Sequence, residues 1–436
     1  MIDLDGNRIK EEPDLLFDDS DTSATSKVPY WGLRNFGPYT KETDVIRLGI
    51  ISPVGKVKEI ENLINDLNQG TSIFPGGMPQ FFRCKINVEK VLTTKSDNDV
   101  KEYEDATQNF IKTTDCRKID AVLVYTAKTS KYLTNTPYYR LKALFTSNGF
   151  PTQIITETTL GNIKYSYLNL ASALFAKAGY TPWVLQDEMK SIDMILGVSV
   201  SNVVSSKNRA GTALRFVGYA NVFDTYGKWM FFEGIGQPYK KEEKANQLKS
   251  LVSSAVTKFT ATKPKVTPKN IAIHHWKRFS RDEIEIIEKT LNTAVGDHNT
   301  IYITIDDSQP FRMYETESDD GSFPRGHYAY LGDWGILLST TGTTDISGHR
   351  MGTPKLLHIT YSQKPKEFLA PDDIAQQIFS LTKLNWASAT PLVREPVSLL
   401  FSRKIAYLTA TMSDPTWAGI VSSEVSATLN NRTWFI

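Results

Sequence analysis

Apolar and polar positions along this chain follow two periods in turn, and the alternation changes character near residue 190. Residues 45–51 and 119–125 are near-continuous apolar runs, short enough to be buried strands, and 153–155 is a shorter one. Val57, Ile60, Leu63, Ile64 and Leu67 recur with the helical period and predict a helix over 56–68. The same period predicts helices over 100–111, 138–148 and 164–178. Gly149 with Pro151 beyond it stops the second of these, and Gly179 the third. A strand over 80–88 and a closing strand at 183–185 complete the block. Strands alternating with helices predict a parallel sheet covered on both faces. Ligands of such sheets sit beyond the carboxyl ends of the strands, where the segments after Tyr125 and Ile155 emerge.

The second block opens with three strands in succession, 194–201, 214–223 and 228–233, turning at Gly211 and at Tyr226-Gly227. A long helix over 241–259 and a Lys/Pro-rich connector at 263–269 follow. The pattern then predicts a strand at 271–275, a helix at 281–291 and strands at 300–305, 335–339 and 355–361. Helices are predicted at 372–382 and 396–410. A three-strand meander followed by alternating helices and strands is the order of an RNase H-like fold. The fold class is therefore α/β throughout, with a Rossmann-like half before an RNase H-like half and a boundary within 186–192.

Composition narrows the function. The chain has 436 residues, 40% hydrophobic and 22% charged, enough for two or three domains. No run of eighteen apolar residues predicts a membrane span. Residues 1–29 carry Glu11, Glu12, Asp14, Asp18, Asp19 and Asp21, lack the apolar core of a signal peptide, and are expected to be loosely ordered. The cytoplasm is the default location. Cys84 and Cys116 are too few for a disulfide framework. A net charge of +2 means that any nucleic-acid surface is a local groove. Tyr138 and Lys142, four apart, share one face of their helix. With Gln153, Asn169 and Lys177 they form a donor set suited to a terminal phosphate. Taken singly, Tyr138 and Lys142 read more readily as an ordinary solvated helix face, and Lys177 as a cation near a helix C-terminus.

The order and spacing of several motifs over residues 30–436 resemble the short prokaryotic Argonautes, which keep only a MID and a PIWI domain. Gly32-Leu33-Arg34-Asn35-Phe36-Gly37-Pro38-Tyr39 looks like the lead-in to a MID domain. Pro137-Tyr138-x3-Lys142, Gly149-x-Pro151-x-Gln153, Asn169 and Ala176-Lys177-x-Gly179-x2-Pro182-Trp183 look like its guide-end pocket. Asp193-x3-Gly197-Val198-Ser199-Val200-Ser201 resembles the first PIWI strand. Gly352-Thr353-Pro354-Lys355 and Thr382-Lys383-Leu384-Asn385-Trp386 resemble its C-terminal half. The resemblance implies a MID domain over 30–187 and a PIWI domain over 188–436. It also implies that Tyr138, Lys142, Gln153, Asn169 and Lys177 hold the 5′-phosphate of a guide, with Mg2+ bridging to the carboxylate of Ile436. Ala173 stands where many relatives have a metal-ligating glutamine.

Nucleases of this type gather several carboxylates around two metals. In this chain Ser199 occupies the first aspartate's position, Trp276 or Lys277 the second's and Ser402 or Arg403 the fourth's, which leaves Glu233. Asp193, Asp306, Asp307, Asp333 and Asp345 are poor substitutes, Asp306-Asp307 reading as a turn. The expectation is a protein that does not cut. His275, Lys277 and Arg278, at a strand end beside Trp276, are candidates for contact with the guide–target backbone, and equally for an ordinary loop. His327, His349 and His358 lack metal-ligand spacing. The family implies a guide RNA, a DNA target and a separately encoded effector or PAZ-like partner acting in defence against invading DNA. Two alternatives are an active guided endonuclease built on Glu233 and a small phosphate-ligand binding α/β protein.

Overall fold

The structure is a computed structural model of the chain and describes residues 6–9, 11–127, 137–203, 215–236, 238–314, 323–342, 353–361, 368–389, 393–409 and 412–436. Gly211, Asp345, His349 and Gly352 lie outside the described residues. Four parallel strands form the first sheet, in the order Lys85–Thr94, Val45–Pro53, Ala121–Thr126, Thr152–Thr156. The Ala121–Thr126 strand is buried at every position, which explains its unbroken apolar run. The helices Val57–Gln69, Val100–Lys112, Pro137–Thr146 and Tyr167–Lys177 belong to this Rossmann-like half.

The second sheet has nine strands. Met194–Val203, Arg215–Phe223 and Trp229–Gly234 form the expected antiparallel meander, and Asn270–His275 runs parallel to the first of them and to Asn299–Asp306. Leu357–Tyr361, Gly335–Leu338, His327–Tyr330 and Gly6–Arg8 extend it antiparallel. The helix Lys244–Thr262 packs on one face, through Leu248, Leu251, Val252 and Phe259. The helix Val397–Thr409 crosses the other. It comes so close that a methyl group added at Gly197 would sit 2.4 Å from the carbonyl oxygen of Ser398. Gly197 is thus fixed by helix-to-strand approach.

Two expectations fail. Residues 80–88 are not one strand. Gly77–Phe82 is a helix burying Met78, Phe81 and Phe82, Arg83 turns the chain in the left-handed region at φ 56°, and the strand begins at Lys85. Both segments are apolar, and the local pattern does not separate a short buried helix from a strand.

The acidic N-terminal segment is packed rather than loose. Leu15–Leu16 pairs with Thr25–Ser26 and with Val184–Leu185, and Leu15, Phe17 and Ala24 are buried. Pro29–Phe36 is a helix. Glu12 meets the buried Arg325 at 3.2 Å and the buried Lys383 at 3.2 Å. Lys383 also donates to the carbonyls of Pro13 (2.6 Å) and Lys27 (2.9 Å). One of the acids that read as disorder, Glu12, is thus the partner of two buried cations. Breaking a buried ion pair from one side costs about 3–5 kcal/mol. Glu12→Ala is expected to lower unfolding stability by that order in a denaturant titration; a loss below about 1 kcal/mol would show that the segment is not pinned there.

Candidate nucleic-acid site

The centre of the molecule is where the two halves meet at the last residue. Trp434, Phe435 and Ile436 are buried. Phe435 packs against Phe401 (5.1 Å between ring centroids) and Trp229 (5.7 Å), and Trp434 against Phe232 (5.5 Å). This apolar tail, anchored in the nine-stranded half, delivers an oxygen of Ile436 to two lysines of the other half. Lys142 donates to it at 3.1 Å, and Lys177 donates to it as well. Lys177 also donates to Gln153 Oε1 at 2.9 Å. Both lysines are buried, at 3% and 0% exposure. Lys142 and Lys177 thus meet Ile436 from far along the chain, and Gln153 joins them through Lys177.

Tyr138 is half-buried, with its ring 5.7 Å from the Lys142 ammonium and edge-on to Tyr139. Asn169 is not part of the cluster. It lies two helical turns, about 12 Å, before Lys177, and its side-chain oxygen accepts from the Ala389 backbone at 2.8 Å. Its position is that of a tie to the segment after Trp386.

Burial pushes the Lys142 ammonium down to about 8. Burial pushes Lys177 well below the usual lysine range, and the charges of Lys142 and Lys404 add to the effect. Lys404 is the member that the sequence reading missed. It sits one residue beyond Arg403, and a basic pair inside an apolar helix was the available signal. Two ammonium groups converge on a buried oxygen of Ile436, and the charge of Lys404 is felt at Lys177. A divalent ion at Ile436 is a poor match. Its oxygen already accepts from two ammonium groups, and no group of three or more carboxylate, imidazole or thiolate side chains is placed to hold a metal among the described residues. These residues do not fit a metal held by the protein alone.

The second region of interest is a cleft of about 580 Å³ lined by Ser199, Ser201, Trp276, Lys277, Asp307 and Arg403, among others. Ser199 is on its floor. Arg403 lies between Asp307 (2.9 Å) and Glu395 (2.8 Å), and Arg394 also pairs with Asp307. Burial pushes the Asp307 carboxyl up, but the two arginines outweigh it and hold the group below its ordinary value; burial raises Glu395. Asp306 accepts from Ser308 N at 2.8 Å, the turn expected from sequence. Asp193 accepts from the backbone of Lys269 and Asn270, each at 2.8 Å, and caps a strand start.

Glu233 is on the other side of the sheet. It pairs in register with Ala220, whose side chain lies in the core under the Lys244–Thr262 helix, whereas Ser199 is opposite Tyr219. Adjacent strand residues face opposite ways. Glu233 accepts from Ser254 at 2.7 Å and pairs with Lys258 at 3.5 Å. It does not join Ser199 in one site.

The histidine expectation is also corrected. His275 is buried against Phe279, 2% exposed, with its imidazole pushed by burial down to about 3. It is a core side chain, not a phosphate contact. His274 faces the other way and bridges Ser398 (2.8 Å) and Gln377 (3.2 Å). Trp276, Lys277 and Arg278 are exposed, with the Lys277 ammonium 4.2 Å from the Trp276 ring centre.

The model of the Piwi domain family matches residues 129–413, well over half of the chain. The chain belongs to this family. Among curated relatives, an argonaute from Cereibacter sphaeroides is 22% identical over 98% of this chain and 59% of its own length. One from Aquifex aeolicus is 25% identical over 85% of this chain and 49% of its own. This Piwi protein thus spans about half the length of the curated relatives it matches. Among solved structures, Clostridium butyricum Argonaute bound to a guide DNA with a 5′ deoxycytidine and a 19-mer target DNA superposes with a TM-score of 0.74. It is 19% identical and is matched over 94% of this chain and 53% of that one. Aquifex aeolicus Argonaute with externally bound siRNA gives 0.64 at 20% identity, over 92% and 53%. The Argonaute fold over nearly the whole chain accounts for the Rossmann-like and RNase H-like halves.

The lysine burial has a pH signature. A lysine whose folded-state pKa is depressed binds its proton more weakly than in the unfolded chain. Lys142 therefore destabilises the free protein below about 8, and this cost fades as pH rises toward the ordinary lysine value. In thermal unfolding from pH 8 to 10.5, wild type is expected to gain stability relative to Lys142→Met. A difference that stays flat or falls would show that Lys142 is not a buried ammonium.

Proposed function

We propose that this protein is a short Argonaute that holds the 5′-phosphate of a guide at Lys142, Lys177 and Gln153, pairs the guide with a target strand, and does not cut. The observation that carries the reading is the buried lysine pair meeting Ile436 where the two halves join. A terminal phosphate carries more charge than an internal diester, and its oxygens suit two ammonium donors and an amide. An arriving phosphate would favour the charged form of both lysines against the burial that disfavours it. Tyr138, over Lys142, is placed to cover the first nucleotide.

Non-cutting rests on the cleft. Ser199, Trp276 and Arg403 stand where the family's carboxylates would be, Glu233 is on the far side of the sheet, and Asp307 is engaged by two arginines. Lys277 and Trp276 on the cleft, with the exposed Arg278 next in the chain, suit backbone and base contacts with a guide–target duplex. Target sequence is read by base pairing while the protein holds backbone shape, as in other guided systems. With no cut, the output falls to another protein. A guide RNA, a DNA target, and a separately encoded effector or PAZ-like partner in defence against invading DNA complete the proposal, on the strength of the family resemblance.

The test compares guides that differ only at the 5′ end. Lys142→Ala with Lys177→Ala is expected to weaken a 5′-phosphorylated guide at least about tenfold more than a 5′-hydroxyl one, about 1.4 kcal/mol. Equal weakening of both would remove the pocket assignment. Because the lysines must be charged to hold phosphate, affinity for the 5′-phosphorylated guide should fall as pH rises above about 8, with proton uptake on binding seen by calorimetry in two buffers.

A further inference from the structure

A cavity of about 490 Å³ opens between the N-terminal segment, the connector joining the two halves and the helix Pro371–Leu381. Carboxylates dominate its wall. Glu11, Glu12 and Asp14 come from the first element, Asp187 and Glu188 from the second, and Asp372 and Asp373 from the third, against Arg8 and Lys190 as the lining cations. Some are already engaged. Glu12 holds Arg325 and Lys383, Asp373 pairs with Lys190 at 3.2 Å, and Asp372 accepts from Tyr328 at 2.7 Å. Asp14 and Asp187 make no ion pair among the described residues, and Asp187 and Glu188 are exposed at the mouth.

A second observation is independent of charge. Gln377 lines the same cavity and is 3% exposed. Its Oε1 is taken by His274 at 3.2 Å, and its Nε2 has no hydrogen-bond partner. A buried amide donor left without an acceptor costs about 1–3 kcal/mol. An acceptor entering the cavity would recover it.

We propose that this cavity receives a basic segment of a partner polypeptide, an Arg or Lys side chain among the carboxylates and a backbone carbonyl on Gln377 Nε2. The volume exceeds what a single ion fills, and no metal-holding cluster is present among the described residues. Charge complementarity selects a cation, and the unpartnered amide selects an occupant that also brings an acceptor, which a peptide does and a simple polyamine does not. Occupancy would be felt elsewhere. Gln377 leads through His274 to Ser398, on the helix that lines the Ser199 cleft. The identity of the occupant as a partner rests on the proposed function; the cavity's preference for a basic peptide does not.

The experiment titrates acetylated, amidated tetra-arginine into the full chain by calorimetry at moderate salt. Wild type, Asp187→Lys with Glu188→Lys, Gln377→Met, and a control with Asp282→Lys and Glu285→Lys on the Arg281–Val295 helix are compared. The expected result is binding that falls at least tenfold in the mouth variant, falls measurably in Gln377→Met and is unchanged in the control. Equal loss in mouth and control variants would reduce the effect to general charge and overturn the proposal. So would spermine binding as tightly as the peptide with no sensitivity to Gln377. Guide binding is measured on the same variants. If it is retained while peptide binding is lost, the cavity is separate from the phosphate pocket; if wild type binds peptide but no guide, the proposed function fails and the cavity stands.

Discussion

The proposed guide pocket depends on one buried contact, an oxygen of Ile436 held by the ammonium groups of Lys142 and Lys177. Burying two cations side by side is unfavourable, and the fold meets that cost with packing elsewhere. The aromatic tail fixes the oxygen from one half, and the helices Pro137–Thr146 and Tyr167–Lys177 fix the lysines from the other. Trp183 and Trp386 brace the same junction, each indole donating to a backbone carbonyl across it at 3.0 Å. On the proposed function, an anion entering this pocket would favour the charged lysines that burial alone disfavours.

The second cleft shows the same architecture with different chemistry. Ser199, Trp276 and Arg403 line it, and the proposed absence of cutting rests on them. The acids that do lie close, Asp307 and Glu395, are turned toward Arg394 and Arg403. Asp307 is neutralised inside the protein by two arginines, and Lys277 lies exposed on the cleft's lining. On the proposed function, such a cleft holds a phosphate backbone in place rather than cutting it.

Much of this was legible in the sequence because period and position agreed. The buried strand at Ala121–Thr126, the meander from Met194 and the lysines at one face of their helices follow from local pattern and motif spacing. Failures came where the deciding partner lies far along the chain. The acidic N-terminal segment reads as solvated until Arg325 and Lys383, some three hundred residues away, are seen beneath it. Asn169 fits a phosphate-binding motif, yet Ala389 takes its oxygen. His275 looks basic and available, but the core around Phe279 swallows it. Glu233 had the right chemistry on the wrong face, a distinction set by strand register. Lys404 joined the lysines only through the packing of its helix.

The most direct measurement is to purify the protein from cells, extract any bound nucleic acid, end-label it and digest it with RNase or DNase. The account predicts short 5′-phosphorylated strands, degraded by RNase, that disappear when Lys142 and Lys177 are replaced by alanine. Well-folded protein carrying no short nucleic acid, even with its neighbouring genes co-expressed, would contradict it, as would bound strands unaffected by the two replacements.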